Sequence, residues 1–285
     1  MTVADAARPL IYDMNRLYMC VGWWQFRGVD RTDLAVAEEL FRSWPGEILG
    51  SIMTPWGTRL FPRHLMLDLI QDRRAIHRED ARADEDQALA AARALLAGAP
   101  TAPPAPEPGL RPIVGSMLEM AWRTGIYLGS PPRRAPPGAA YLNVGQLTWA
   151  FPWIVRWLRR RPDIRAMFMV HDAIPQARPD LSSAGLAAKH DAFFDAIQDR
   201  AAAILTSTRA ATAEIQSVLA ARGGRQVPAR IAPWPVEPAF LDRPAPDPEL
   251  AAAGYFVVVG GFEARKNHAL LLDAWDRIRA RRGAA

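Results

Sequence analysis

The sequence predicts an α/β protein in which a parallel β-sheet is covered by helices. Short apolar runs alternate with stretches of helical periodicity along most of the chain, which is the pattern of repeated strand–helix–strand units. The chain has 285 residues, of which 50% are hydrophobic and 23% charged. This composition is that of a globular protein that can bury about 75% of its unfolded surface. Disordered, collagen-like and fibrous classes are therefore excluded.

The amino-terminal half is predicted to contain three strands and three helices. A short apolar run predicts a strand over residues 10–14, and the aromatic, basic segment 23–28 is interpreted as a loop. A helix is indicated by apolar residues at helical spacing, namely Leu34, Ala37, Leu40 and Phe41. Beyond it we expect strands at 47–53 and 57–61, a helix through Leu65, Leu69 and Ile76, and a separate helix at 80–96.

The alternation becomes clearer in the middle of the chain. We expect strands at 140–144, 164–170 and 203–206, each followed by a helix, with the helices at 149–160, 186–200 and 209–222. Each helix can then cross over the sheet between two parallel strands.

Two proline-rich segments divide the chain. The first, 100–112, is interpreted as an insertion in a first domain that spans 1–232, and the second leads to a linker at 233–253. The run YFVVV at 255–259 then predicts a buried strand, followed by a helix with an apolar face. Because the chain ends at residue 285 after these two elements, we expect 254–285 to be the start of an incomplete second domain.

Charge and cysteine content limit the partners and the compartment. The net charge of +5 favours phosphorylated ligands, anionic lipids or nucleic acid, but no nucleic-acid recognition motif is present, so a nucleic-acid partner is not expected. Cys20 is the only cysteine, which excludes an internal disulfide and a cysteine-ligated zinc. No membrane-spanning run and no signal peptide are recognised, so a cytoplasmic location is expected.

The run 255–275 carries the clearest chemistry. Gly260 and Gly261 form a turn through which a phosphate can approach the backbone, and Arg265 and Lys266 lie beside the start of a helix whose amide groups favour anions. Asn267 is a plausible helix cap. Lys266 is one of only two lysines in the chain. The alternative interpretation is a tight turn with solvated basic residues.

This run resembles the start of the second domain in family 4 glycosyltransferases of the GT-B fold. The resemblance implies a Rossmann-like first domain that holds the acceptor, and a nucleotide diphosphate sugar as donor. Lys266 and Arg265 would contact the donor diphosphate, and Gly260 and Gly261 would admit it. Many family members have a basic or hydroxyl residue after the first glycine, whereas this chain has Gly261.

The segment VHDAIP at 170–175 is similar to the family's HD-type segment, which lines the cleft between the domains. The resemblance implies that His171 contacts the donor sugar. A histidine bonded to the backbone at a strand end is the structural alternative. A metal site is not expected, because the other histidines show no matching ligand spacing.

Two further segments are similar to the family. RGVDRTDLA at 27–35 resembles a GxDR-type segment facing the acceptor, which makes Gly28, Asp30 and Arg31 acceptor-side candidates; a surface salt bridge between Asp30 and Arg31 would explain them equally well. AILTSTRAAT at 203–212 corresponds to a strand followed by a helix that Ser207 or Thr208 would cap.

Aromatic residues leave the question of membrane contact open. Trp149, Trp153 and Trp157 repeat at helical spacing beside several arginines. Such a helix can lie on an anionic leaflet, which suits a lipid-linked acceptor, or it can pack onto the sheet. Three interpretations stay open for the loop containing Trp23, Trp24 and Phe26: stacking on a sugar, contact with a membrane, and burial.

Together the resemblance implies a retaining transfer of a sugar to a glycan or lipid-linked acceptor, as in polysaccharide biosynthesis, without a metal or organic cofactor. No catalytic residue is assigned. Family members carry a glutamate pair late in the second domain, whereas no glutamate follows Glu263 here. We therefore expect a truncated chain that binds donors weakly or not at all. The alternative is a non-catalytic interaction or membrane-associated module.

Overall fold

The structure is a computed structural model that describes residues 8–19, 28–54, 56–99, 118, 122, 129–146, 152–236, 240–241, 247–252, 255–260 and 264–282. Its centre is a mostly parallel, Rossmann-like sheet of seven strands with helices on both faces. This confirms the predicted α/β class.

The strands follow one another across the sheet in an order that reverses once. In chain order they are β1 (Leu10–Asp13), β2 (Ile48–Thr54), β3 (Gly57–Pro62), β4 (Ala140–Asn143), β5 (Arg165–Met169), β6 (Ala201–Thr206) and β7 (Ala229–Ile231). Their order across the sheet is β3-β2-β1-β4-β5-β6-β7. All neighbours are parallel except β3, which forms an antiparallel hairpin with β2.

The connections between the strands are mainly helical. The α-helices are α1 (Asn15–Met19), α2 (Gly28–Ser43), α3 (Arg63–Leu96), α4 (Ile174–Ala177), α5 (Ala184–Arg200), α6 (Arg209–Ala221), α7 (Pro248–Ala252) and α8 (His268–Arg282). A long 3₁₀ helix (Pro152–Arg160) joins β4 to β5. Within the described ranges, none of the helices is long and apolar enough to cross a membrane.

The core has one layer on each face of the sheet. Leu10 and Tyr12 of β1 pack with α2 and α3, whereas Ile11 points to the other face, which the long 3₁₀ helix and α5 cover. All four residues of β1 are buried, as expected for a central strand of a sheet covered on both sides.

Two expectations for residues 1–232 need correction. The helices predicted on either side of residue 80 are one continuous helix, α3, because its sequence contains no glycine or proline to interrupt it. The strand β7 was not predicted, because it has only three residues and follows Pro228. The other predicted strands and helices of this range have counterparts in the structure, with ends shifted by a few residues.

The predicted buried strand at 255–259 is wrong. These residues form no strand, and their side chains are exposed, with Val259 at 90%. A strand needs a neighbouring strand to pair its backbone groups, and no described strand lies beside residues 255–259. Its contact with α8 is a ring pair between Phe256 and Trp275, whose centroids are 5.3 Å apart.

Some expectations lie outside the described residues. These are the loop residues Trp23, Trp24 and Phe26, the proline-rich insertion at 100–112, Trp149 and Gly261. The division into two domains and a linker stays a prediction.

Candidate functional site

The candidate site lies where the strand order reverses. The chain leaves β1 towards β2 on one side and later returns to β4 on the other, so the connections diverge between the carboxyl ends of β1 and β4. In open α/β sheets, ligands bind in the crevice at such a switch point. The residues at these two strand ends are Asp13 and Asn143.

Asp13 ties the central strands together. One carboxylate oxygen accepts hydrogen bonds from the backbone N–H (2.9 Å) and the side-chain amide (2.7 Å) of Asn15. The other accepts from the amide of Asn143 at 2.8 Å and from the hydroxyl of Tyr141. Asn15 in turn accepts from the backbone N–H of Met53 in β2 at 2.6 Å. Both oxygens of Asp13 are thus occupied, which assigns it a structural role at the base of the crevice.

A second polar group connects the first turn of α2 to the end of β4. Arg16 donates from Nε to Asp30 at 2.6 Å and from Nη1 to the carbonyl oxygen of Gly145 at 3.0 Å. Gly145 is sterically required, since a Cβ there would lie 2.5 Å from Asp33 Oδ2 and 2.6 Å from Arg16 Cβ. This clamp therefore holds the turn after β4 in place.

Asp33 is a buried acid beside this clamp. Its Oδ1 accepts a hydrogen bond of 2.6 Å from the hydroxyl of Tyr12, whereas its Oδ2 is buried without a partner. Burial raises the pKa of Asp33 to about 8, although the Tyr12 hydrogen bond and the charge of Arg16 act in the opposite direction. Asp33 therefore carries a proton in most molecules at neutral pH.

His171 follows β5 at the same edge of the sheet, as predicted, and it makes the bond to the backbone that the structural alternative expects. Its Nε2 lies 3.0 Å from the carbonyl oxygen of Val144, and because a carbonyl only accepts, the proton is on Nε2. Nδ1 is then an acceptor, and it is buried without a partner. Burial lowers the pKa of His171, so the ring is neutral at pH 7. The ring of Trp234, itself 50% exposed, lies 5.7 Å away.

The predicted acceptor-side residues are in the first turn of α2. Asp30 is buried and bonded to Arg16, so the alternative of a surface salt bridge between Asp30 and Arg31 is wrong. The guanidinium of Arg31 lies 5.8 Å from the ring centre of Phe240. Gly28 is exposed, and a Cβ there would meet nothing within 4 Å. Of the three, the structure joins only Asp30 to the polar groups of the crevice.

The predicted phosphate loop is exposed. Arg265 and Lys266 end a single 3₁₀ turn, and the nearest side-chain carbon of Lys266, Cε, lies 3.8 Å from the Cβ position at Gly260. The side chain of Asn267 accepts from the backbone N–H of Leu270 at 3.3 Å, which confirms the predicted cap of α8. Gly260 and Lys266 are therefore neighbours, and the exposure of Arg265 and Lys266 also fits the alternative of a tight turn with solvated basic residues.

Arg16, Asp33 and Gly145 were not identified from the sequence. For Arg16 and Gly145 the signal was the polar run at the end of each predicted strand, DMNR at β1 and NVGQ at β4, whereas Asp33 lies in α2 and no such run marks it. Among the residues placed in the structure, no group of three histidine, cysteine or acidic side chains is arranged to hold a metal ion.

No protein-family model matches the chain, and no curated protein matches it.

Proposed function

We propose that this chain acts in the transfer of a sugar from a nucleotide diphosphate sugar to an acceptor, with retention at the anomeric carbon and without a metal. The acceptor would lie in the crevice between β1 and β4. The loop at 260–266 would bind the diphosphate of the donor. The observation that carries the proposal is His171, a neutral imidazole with an acceptor nitrogen at the switch point.

A sugar hydroxyl is a suitable partner for this nitrogen. Hydroxyl groups donate one hydrogen bond, and Nδ1 of His171 is a buried acceptor without a donor. The indole of Trp234, which is 50% exposed, lies beside the imidazole with its ring centre 5.7 Å away. Indole rings also stack on the apolar faces of sugars, which would hold a donor sugar against His171.

The diphosphate requires positive charge rather than a proton. When the bond between the anomeric carbon and the phosphate oxygen breaks, negative charge develops on the leaving nucleoside diphosphate. Lys266 and Arg265 are positioned in sequence beside the amino end of α8 to meet that charge. No general base is assigned, because both oxygens of Asp13 are hydrogen-bonded and Asp33 is buried.

Titration calorimetry with a panel of nucleotide diphosphate sugars tests the proposal. We expect weak binding that falls about ten- to a hundredfold in Lys266→Ala, because a charge-assisted contact to phosphate is lost. Lys189→Ala is the matched control, since Lys189 is the other lysine and is exposed on α5. The proposal fails if no member of the panel binds, or if both variants lose affinity equally.

One observation favours a second function, that of an interaction module. The segment 255–259 and the apolar residues Leu270, Leu271 and Trp275 of α8 are exposed. Large exposed apolar surfaces commonly mark interaction sites. Sedimentation that shows concentration-dependent self-association, with no nucleotide sugar bound, would favour the module over the enzyme.

A further inference from the structure

A groove of about 470 Å³ lies beside the sheet edge formed by β3. One wall is the β2–β3 hairpin, which contributes Trp56 and Arg59, and the other is the long 3₁₀ helix, which contributes Trp153, Arg156 and Arg160. The hydroxyl of Thr58 in β3 donates to the carbonyl oxygen of Ile154 at 3.3 Å and so fixes the helix against the strand. The groove is thus bounded by two elements that are bonded to each other.

The helix turns its polar face towards this groove. Ile154, Val155 and Leu158 are buried in the core layer beside the sheet, whereas Arg156 and Arg160 are exposed. The buried side of the helix therefore packs onto the sheet and is not available to a membrane, whereas Trp153, from the tryptophan repeat recognised in the sequence, is 45% exposed. The surface side of the helix keeps Trp153, Arg156 and Arg160 of that segment, to which the hairpin adds Trp56.

The groove presents hydrogen-bond donors and positive charge. It is lined by four arginines, and no acidic residue is among the described residues that line it. Arg159 forms an ion pair with Asp199 at 3.3 Å. The other three, Arg59, Arg156 and Arg160, have no hydrogen-bond or ion-pair partner within the described part of the chain. Such a lining favours a ligand with several anionic acceptors and does not offer the carboxylates or amides that neutral sugars commonly bind.

Exposed indoles accompany the arginines. Trp56, at the hairpin turn, is 70% exposed, and Trp153 is 45% exposed. Indole rings favour the boundary between lipid headgroups and hydrocarbon, where arginine side chains extend to the phosphates. Arginine side chains, which only donate hydrogen bonds, and exposed indoles together fit a surface on which phosphate groups and apolar chains lie close to each other.

We propose that this groove binds the surface of a membrane that contains anionic phospholipids. Arg156, Arg160 and Arg59 bind the lipid phosphates, and Trp56 inserts at the level of the glycerol groups. The inference does not rest on sugar transfer, since the groove lies at the edge strand β3 and not at the switch point between β1 and β4.

Co-sedimentation of the whole chain with vesicles tests this proposal. We expect binding to phosphatidylcholine vesicles that contain phosphatidylglycerol, and little binding to pure phosphatidylcholine. The double variant Arg156→Gln/Arg160→Gln should lower the partition coefficient about thirtyfold, because each basic residue at an anionic surface contributes independently. Arg209→Gln/Arg230→Gln is the control; it removes the same charge from exposed positions after β6 and in β7, at the opposite side of the sheet.

Trp56→Ser separates insertion from charge. It should lower vesicle binding even at high salt, where the attraction of the arginines is screened. The exposed positions of these residues predict unchanged circular dichroism in every variant. Equal binding to both vesicle types, wild-type binding by the Arg156→Gln/Arg160→Gln variant, or an equal loss in the control would overturn the proposal. Binding of an acidic oligosaccharide to this groove, with no binding of the chain to vesicles, would also overturn the proposal.

Discussion

Two buried aspartates at the same edge of the sheet differ in their hydrogen bonds. Asp13 receives four, from Asn15, Asn143 and Tyr141, whereas the carboxyl of Asp33 receives one, from Tyr12. Burial raises the pKa of both acids, since it disfavours the charged form. Asp33 receives fewer hydrogen bonds that stabilise its charged form, and one of its oxygens has no partner. It is therefore the acid whose protonation should be visible in the free energy of unfolding.

The stability advantage of Asp33 over asparagine should decrease as the pH rises from 5 to 8. The pKa of Asp33 is raised from 3.8 to about 8, so over this window the folded state holds a proton that the unfolded state has released. The free energy of unfolding therefore falls with pH, by up to about 1.4 kcal/mol per pH unit. Urea unfolding of wild type and Asp33→Asn at pH 5, 6, 7 and 8 measures the difference, in which the contributions of the histidines cancel.

Asp180→Asn is the control for this measurement. The guanidinium of Arg178 lowers the pKa of the exposed Asp180, so its carboxylate is ionised in both states throughout the window. Its difference from wild type should stay constant between pH 5 and 8. A difference between wild type and Asp33→Asn that is equally constant would show that Asp33 is not protonated in the folded protein.

The sequence locates strand-end residues better than it locates their partners. His171 was predicted at a strand end because the apolar run that marks the strand directly precedes it in the sequence. Its bond to Val144, 27 residues away, and the bond from Arg16 to Asp30, 14 residues away, depend on how the strands and helices pack. Such pairs cannot be inferred from periodicity within one segment.

The junction of β6 and α6 shows how a local signal specifies an element. Thr208 precedes the helix, and its hydroxyl oxygen accepts a hydrogen bond of 3.1 Å from the backbone N–H of Ala211. Ser207 and Thr208 were both candidates for this cap, and the structure selects Thr208. A free amide at the helix start is thereby satisfied.

Thr208→Ala should lower the free energy of unfolding by about 1 kcal/mol, because the capping bond is lost. Ser207→Ala is the matched control, with an expected change below about 0.5 kcal/mol. Thr208→Ser should restore most of the loss, since serine caps equally well. Chemical denaturation of the three variants measures these values. Equal losses for Ser207→Ala and Thr208→Ala would contradict the assignment of the cap.

Elements were predicted where the hydrophobic periodicity and the turn residues indicated the same boundaries, and they were missed where the two did not agree. The strands β4, β5 and β6 are apolar runs between helices, and all three were recognised. The run 255–259 has the composition of a buried strand but is exposed here, because strand formation depends on a neighbour that composition does not supply. Conversely, β7 is specified by its pairing with β6 rather than by its own three residues.

In the molecule as a whole, two surfaces differ in charge and in their position on the sheet. The switch point of the sheet has a neutral imidazole, the turn at Gly145 and buried acids, whereas the edge at β3 has arginines and exposed indoles. The fold class follows from the alternation of elements in the sequence, whereas the position of the switch point depends on the order of the strands across the sheet, which that alternation does not give. The groove could not be predicted, because it depends on which face of the long 3₁₀ helix the sheet covers.

The most direct test of the central claim is a nitrogen NMR measurement on the histidine side chains of ¹⁵N-labelled protein. The signals of His171 are identified by their loss in His171→Gln. We predict a neutral ring at pH 7 with its proton on Nε2, and a shift of the Nδ1 signal when a bound nucleotide diphosphate sugar donates to it, while the signals of His190 stay unchanged. A charged ring, or an Nδ1 signal that does not respond to a nucleotide sugar that binds, would contradict the account.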